Sequence, residues 1–139
     1  MKKPGLSIKY FLFGVNYIAN YQLFRKKTPL VCGMTVTNAC NLRCRHCRVM
    51  ERGARSLTFE EIISAMQSFY QQGGRTLYLQ GGEPFIWRDG KRTIEDIIVY
   101  SHNMGFLTSI IYTNGTIPIN TSASTVFVSM DGIDRKSVV

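Results

Sequence analysis

The sequence predicts an α/β domain of parallel strands joined by helical crossovers, preceded by an amphipathic helix at the N-terminus. Three observations predict it. After residue 28, β-rich runs and helical periodicity follow in the order strand, helix, strand, helix, strand, strand, an alternation that favours a parallel sheet. Both internal helices carry start and stop signals. Each strand run ends in a polar motif bearing glycine or cysteine, which puts all of these motifs at one sheet edge, where α/β folds build their sites. With 139 residues, 45% apolar and 19% charged, the chain is one globular domain or part of one, without low complexity or repeats.

The elements follow in order. The opening stretch "MKKPGLSIKYFLFGVNYIANYQLFRKK" is apolar behind two lysines, yet Lys9, Asn16 and Asn20 interrupt it. No small-residue cleavage site follows, so a signal peptide is not expected, and a span needs about 20 mostly uncharged residues. On a helix, Lys2, Lys9, Asn16, Asn20 and Lys27 form one narrow stripe, with Tyr10, Phe11, Phe13, Tyr17, Ile18, Tyr21 and Phe24 around the rest. Residues 1–27 are therefore expected as a separate amphipathic helix ahead of a core at 28–139. Two readings stand level: the helix lies on a membrane surface, or it packs on its own domain.

Pro29 precedes a strand expected over 31–36, in which Cys32 reads as a buried small hydrophobe. A cysteine-bearing loop comes next. "LTFEEIISAMQSFYQQGG" pairs Thr58 with Glu61 in a capping box, puts Ile62, Ile63, Met66, Phe69 and Tyr70 on one face, and stops at Gly73–Gly74. A strand at 75–80 runs into "GGEP". The second helix is expected over 91–104, capped by Thr93, facing the core with Ile94, Ile97 and Ile98, and ended by Gly105. Strands at 106–113 and 124–130 end in "NG" and "DG". Between "TNG" and the last strand only about eight residues remain, fewer than the about 10–12 of a helical crossover, so a third helix is rudimentary or missing.

"CNLRCRHC" at 40–47 brings three thiols and a histidine into eight positions. Structural zinc takes four ligands in paired spacings, and His46 beside Cys47 is poorly placed to share one tetrahedral ion with it. A redox dithiol uses two cysteines and leaves the third idle. Iron–sulfur ligation fits better, since a cubane cluster held by three local thiolates keeps one iron open. With no export signal the thiols are expected in a cytoplasm, with a membrane contact open through the N-terminal helix.

The formal charge of +8 gathers in "RKK" at 25–27 and at Arg43, Arg45, Arg48, Arg52 and Arg55. It suits an acidic protein, an anionic surface or a plain solvated face. Nucleic acid is disfavoured, because exposed aromatics are not interleaved with the basic residues.

"CNLRCRHC" followed by "GGEP", "TNG" and "VSMDG" resembles the radical S-adenosylmethionine (radical SAM) superfamily, over residues 31 to about 132. The resemblance implies a partial (β/α) barrel, of which about four parallel strands are present. It implies that Cys40, Cys44 and Cys47 hold a 4Fe–4S cluster whose fourth iron takes S-adenosylmethionine. Gly81, Gly82, Glu83 and Pro84 would meet the methionyl ammonium, His46 would neighbour the adenine, and Thr113, Asn114, Ser129 and Asp131 would approach the ribose or the carboxylate. The implied reaction is reductive cleavage of S-adenosylmethionine to a 5′-deoxyadenosyl radical, which abstracts hydrogen from an unidentified small-molecule, lipid or peptide substrate. A reducing donor such as a flavodoxin or ferredoxin is implied as partner. Such enzymes usually have six strands, so the core is expected to be incomplete at its C-terminal side. A different class of reading is a non-catalytic iron–sulfur or zinc module that binds a partner through the basic face.

Overall fold

The computed structural model describes residues 8–25, 27–45, 47–49, 53 and 55–130. Lys2, His46, Arg52 and Asp131, singled out above, lie outside the described residues.

Helix α1 (Ile8–Phe24) is followed by β1 (Val31–Thr37), α2 (Phe59–Gln71), β2 (Thr76–Gly81), a 3-10 turn (Pro84–Ile86), β3 (Arg88–Asp89), β4 (Arg92–Thr93), α3 (Ile94–Met104), β5 (Thr108–Thr113) and β6 (Thr125–Val128). β1, β2, β5 and β6 form a four-stranded sheet in that order, every neighbouring pair parallel. This is the α/β arrangement of a partial barrel, with the N-terminal helix ahead of it.

The strands alternate because one sheet face lies under the helices. Cys32, Met34 and Val36 of β1, Leu77 and Leu79 of β2 and Ile111 of β5 are buried with Ile62, Ile63 and Met66 of α2 and Ile97 and Ile98 of α3. Each buried aliphatic side chain of this size stabilises the fold by roughly 1.5–3 kcal/mol. The indole of buried Trp87 satisfies its N–H on the Leu57 carbonyl at 2.8 Å. On the opposite face, Tyr78, Tyr112 and Phe127 make a row with ring centroids 5.2 Å and 4.9 Å apart.

Thr58 and Glu61 form the expected capping box at α2, and α3 stops at Gly105, whose φ of 101° favours glycine. α3 starts at Ile94, later than the sequence suggested. Gly90, with φ 59°, turns the chain so that β3 and β4 pair antiparallel across it. Asp89 of this hairpin accepts from the Phe59 amide at 2.8 Å, putting a carboxylate at the N-terminus of α2.

The crossover from β5 to β6 carries no helix, as its length implied. Glu95 of α3 holds it, accepting from Thr121 Oγ1 at 2.6 Å, from the Ser122 amide at 3.0 Å and from the Ser122 hydroxyl. Burial works against the Glu95 carboxylate, but the Ser122 and Thr121 donors outweigh it and keep the group below the usual carboxylate range.

No residue of α1 is buried. Its Tyr10 hydroxyl donates to the carbonyl of Leu107, at the entry to β5, at 2.5 Å. Phe13 and Tyr17 on that side are partly buried, whereas Ile8, Phe11, Leu12, Val15, Ile18 and Leu23 are exposed.

Candidate functional site

The motifs meet at the carboxyl edge of the sheet. β1 ends in a register shift between Thr35 and Thr37, which re-aims the chain into the cysteine loop. The loop's two arms are closed at the base: Asn38 N donates to Arg55 O at 2.8 Å and Leu57 N to Val36 O at 2.9 Å. Thr37, almost fully buried, adds an Oγ1 contact to Ser56 Oγ at 2.7 Å and accepts from the Ala39 amide at 3.0 Å.

Gly81 and Gly82 let β2 end in direct contact with the backbone that leads into the cysteine loop. Gly82 N donates to Thr37 O at 2.8 Å and Glu83 N to Ala39 O at 2.9 Å. A β-carbon on Gly81 would lie 2.4 Å from Thr37 O, and one on Gly82 would lie 2.2 Å from Ala39 O. The crowding partner of both glycines is the backbone that leads into the cysteines. Gly82→Ala is therefore expected to destabilise by about 1–3 kcal/mol, since only backbone can move to relieve the contact. It should also lower the iron retained per chain after reconstitution. Urea unfolding and an iron assay check both.

Glu83 is 0% exposed, which rules out a surface charge after a turn. Its Oε1 accepts from the Phe85 amide at 3.0 Å and Thr113 Oγ1 at 2.8 Å; its Oε2 accepts from the Asn114 amide at 2.8 Å. A buried carboxylate is tolerable when donors surround it in this way. The carboxylate expected to meet a methionyl ammonium is thus engaged inside the chain, tying the end of β2 to the end of β5. Pro84 opens the 3-10 turn and is buried with Phe85.

Thr113 is buried, and its hydroxyl also accepts from the Gly115 amide at 3.1 Å. Asn114 carries the tie onward: Nδ2 donates to Asn41 Oδ1 at 2.9 Å and faces Cys40 Sγ at 3.7 Å. Asn41 Nδ2 donates to Thr116 Oγ1 at 2.7 Å. Ser129 lies at the end of β6 with an exposed side chain, its amide donating to Thr113 O at 2.8 Å.

Cys40 and Cys44 are half-buried and Cys47 is exposed; all three are thiols, not disulfides. Cys47 N donates to Cys44 O at 3.1 Å, and Cys40 Sγ accepts from the Leu42 amide at 3.4 Å. Among the described residues no three metal-binding side chains already converge as a ligand set. The loop supplies the donors but does not hold them gathered. Cys32 sits apart under the helices, where burial pushes its thiol up from the ordinary value, as befits a small hydrophobe. Arg43, Arg45, Arg48 and Arg55 are exposed around the loop; Arg55 pairs with Glu61 at 3.5 Å, an exposed contact worth little.

The donor set fits an iron–sulfur cluster: three soft thiol ligands lie on one loop, and one of them already sits in N–H donors that suit a thiolate. The sequence model of the radical SAM superfamily matches residues 34–135. This chain belongs to the radical SAM superfamily. Membership carries the superfamily's two cofactors, a 4Fe–4S cluster and S-adenosylmethionine. The chain is similar to molybdenum cofactor biosynthesis protein 1 of Drosophila melanogaster, 33% identical over 111 residues, covering 69% of this chain and 19% of the relative. It is similar to GTP 3′,8-cyclase of Acidothermus cellulolyticus, 36% identical over 70 residues, covering 44% of this chain and 19% of the relative. It also resembles 7,8-dihydro-6-hydroxymethylpterin dimethyltransferase of Methanocaldococcus jannaschii, 29% identical over 125 residues, covering 80% and 24%. This radical SAM chain spans less than a quarter of the length of these curated relatives.

Sequence reasoning missed Thr37, Asn41 and Thr116. A signal existed for two of them: "TNA" at 37–39 and "NGT" at 114–116 are short side-chain-to-backbone turns.

Proposed function

We propose that the chain is the cofactor-binding part of a radical SAM enzyme, in which Cys40, Cys44 and Cys47 hold the cluster and the Gly81–Pro84 edge holds S-adenosylmethionine. The observation that carries this is the cysteine loop itself, fastened to the "GGEP" backbone on one side and to Asn114 on the other. When bound, the two cofactors supply one-electron cleavage of the sulfonium and abstraction of hydrogen from an unreactive C–H bond. The residues of the chain do the rest. The glycines let the chain entering the cysteine loop lie directly against this edge, which brings the cysteines and the backbone carbonyls that would meet the methionyl group together. Glu83 positions both β-strand ends from within. Ser129 and, by resemblance, His46 and Asp131 complete the contacts. The substrate would meet the uncovered sheet face, where Tyr78, Tyr112 and Phe127 present ring surfaces. Exposed Arg43, Arg45 and Arg48 beside the cluster suit an acidic reducing protein, whose encounter they would speed at low salt.

Anaerobic reconstitution with iron and sulfide, followed by dithionite and S-adenosylmethionine, tests the reading. The expected product is 5′-deoxyadenosine with methionine. A protein that binds iron or zinc and leaves S-adenosylmethionine whole is instead the non-catalytic module.

The same reading places the chain at an anionic lipid surface through α1. No helix among the described residues is long and apolar enough to cross a membrane. Yet α1 turns one side toward the core through Tyr10 and leaves a stripe at helical spacing bare: Ile8, Phe11, Leu12, Val15 and Ile18. The charge of this end is one-signed, for no acidic residue precedes Glu51 while Lys9, Arg25 and Lys27 accompany the helix. Each cation near anionic lipid contributes about 1 kcal/mol. The chain is expected to co-sediment with phosphatidylserine vesicles at low salt and to be released by high salt. The triple variant Phe11→Ser, Leu12→Ser, Val15→Ser should lose binding while keeping its cluster. Failure of the unaltered chain to sediment, or concentration-dependent dimerisation lost in the same variant, would overturn the lipid reading.

A further inference from the structure

The Asn114 side chain faces a cysteine, Cys40. Its Oδ1 accepts from the Thr116 amide at 3.0 Å and the Thr116 hydroxyl at 2.6 Å. An amide side chain has two acceptor sites at oxygen and two N–H donors at nitrogen. Two donors from Thr116 decide which end is oxygen, so the nitrogen is the end that faces Cys40 Sγ at 3.7 Å and Asn41 Oδ1 at 2.9 Å. The two N–H groups then have one acceptor each. The Asn114 backbone amide is also taken, by Glu83 at 2.8 Å. Its N–H donors are all engaged within the chain, and none remains for a ribose or a carboxylate.

We propose that Asn114 is a positioning residue for the iron–sulfur cluster, holding Cys40 Sγ through an N–H···S bond that raises the cluster's reduction potential. This rests on the reading that Cys40 is a cluster ligand. Reduction adds negative charge to the cluster and its sulfurs, so a donor aimed at a ligand sulfur stabilises the reduced form more than the oxidised one. The Leu42 amide at 3.4 Å is a second donor to the same sulfur, supplied by backbone. Asn114 is the one that a substitution can remove. The geometry also couples cluster and fold: Cys40, Asn114, Thr113 and Glu83 form one continuous chain of contacts from the sulfur to the buried carboxylate.

The test is an anaerobic redox titration of the reconstituted protein, followed by electron paramagnetic resonance without S-adenosylmethionine. Asn114→Ala is expected to titrate at a more negative potential than the unaltered protein. Asn114→Asp should shift further in the same direction, because it keeps the acceptor for Thr116 but loses both N–H donors and adds charge beside the cluster. Asn41→Ala frees the loop tie yet leaves the donor to Cys40, so its midpoint should match the unaltered protein. Midpoints of both Asn114 variants equal to the unaltered one, with full iron content, would overturn the proposal and leave the cluster assignment standing. An Asn41→Ala shift as large as that of Asn114→Ala would also overturn it, by tracing the effect to the loop. Full cluster content in Cys40→Ala would instead sink the ligand assignment beneath it.

Discussion

Replacing Cys40, Cys44 or Cys47 with alanine should abolish the oxygen-labile cluster of the reconstituted protein, while Cys32→Ala should keep the full iron content. The asymmetry follows from position. Three thiols lie on the loop that closes at Asn38 and Arg55, and the fourth lies under α2 and α3 on the helical face of the sheet. A cubane held by three protein thiolates has no spare ligand, so each loss removes a third of its anchorage. Cys32→Ala should cost stability instead, about 1 kcal/mol for a small buried group. Iron and sulfide assays with the visible absorbance of each variant decide it. Retention of a full cluster by any of the three loop variants would remove that cysteine from the ligand set.

Glu83→Gln should destabilise the fold by about 3 kcal/mol, a large effect for a change of one atom. The carboxylate accepts from two backbone amides and a hydroxyl in a site with no water contact. Glutamine must turn an NH₂ toward either the Phe85 amide or the Asn114 amide, so that donor faces donor. Loss of a charged acceptor from a buried site costs more than the bond itself, because the partners left behind stay desolvated. S-adenosylmethionine affinity should fall as well, since the β2 and β5 ends are no longer held together, while the cluster spectrum persists because no ligand is removed. Urea unfolding checks the stability and calorimetry the affinity. An unchanged unfolding midpoint would show that the buried knot contributes nothing.

Much of the frame was legible from residues. Alternation, the Thr58–Glu61 box and Gly105 located α2 and α3, and the short run between Asn114 and Ser124 announced a crossover without a helix. These are local signals, set by neighbours a turn or a pleat away. The site was legible as a list of positions and not as contacts. Glycine-rich "GGEP" suggested room for a ligand, but the atoms that exclude a side chain there belong to Thr37 and Ala39, more than 40 positions upstream. Glu83 was legible as a motif residue, but two of its donors, Thr113 and the Asn114 amide, sit 30 and 31 positions away at the end of β5, beyond the reach of any spacing argument. The later start of α3 turned on Gly90, whose positive φ made a hairpin where helical periodicity already pointed to a helix. For α1, periodicity showed a polar stripe, while the division between a side facing Leu107 and a bare side depends on a contact 97 positions away.

The proposed function requires this edge to bind S-adenosylmethionine on a cluster with one open iron. Electron paramagnetic resonance of the dithionite-reduced, reconstituted protein, recorded with and without S-adenosylmethionine, tests it most directly. Binding at the open iron predicts a changed g-tensor on addition of S-adenosylmethionine, and no such change on addition of its demethylated analogue's purine, adenine, alone. Superimposable spectra in the presence of saturating S-adenosylmethionine would show that the open iron does not bind it.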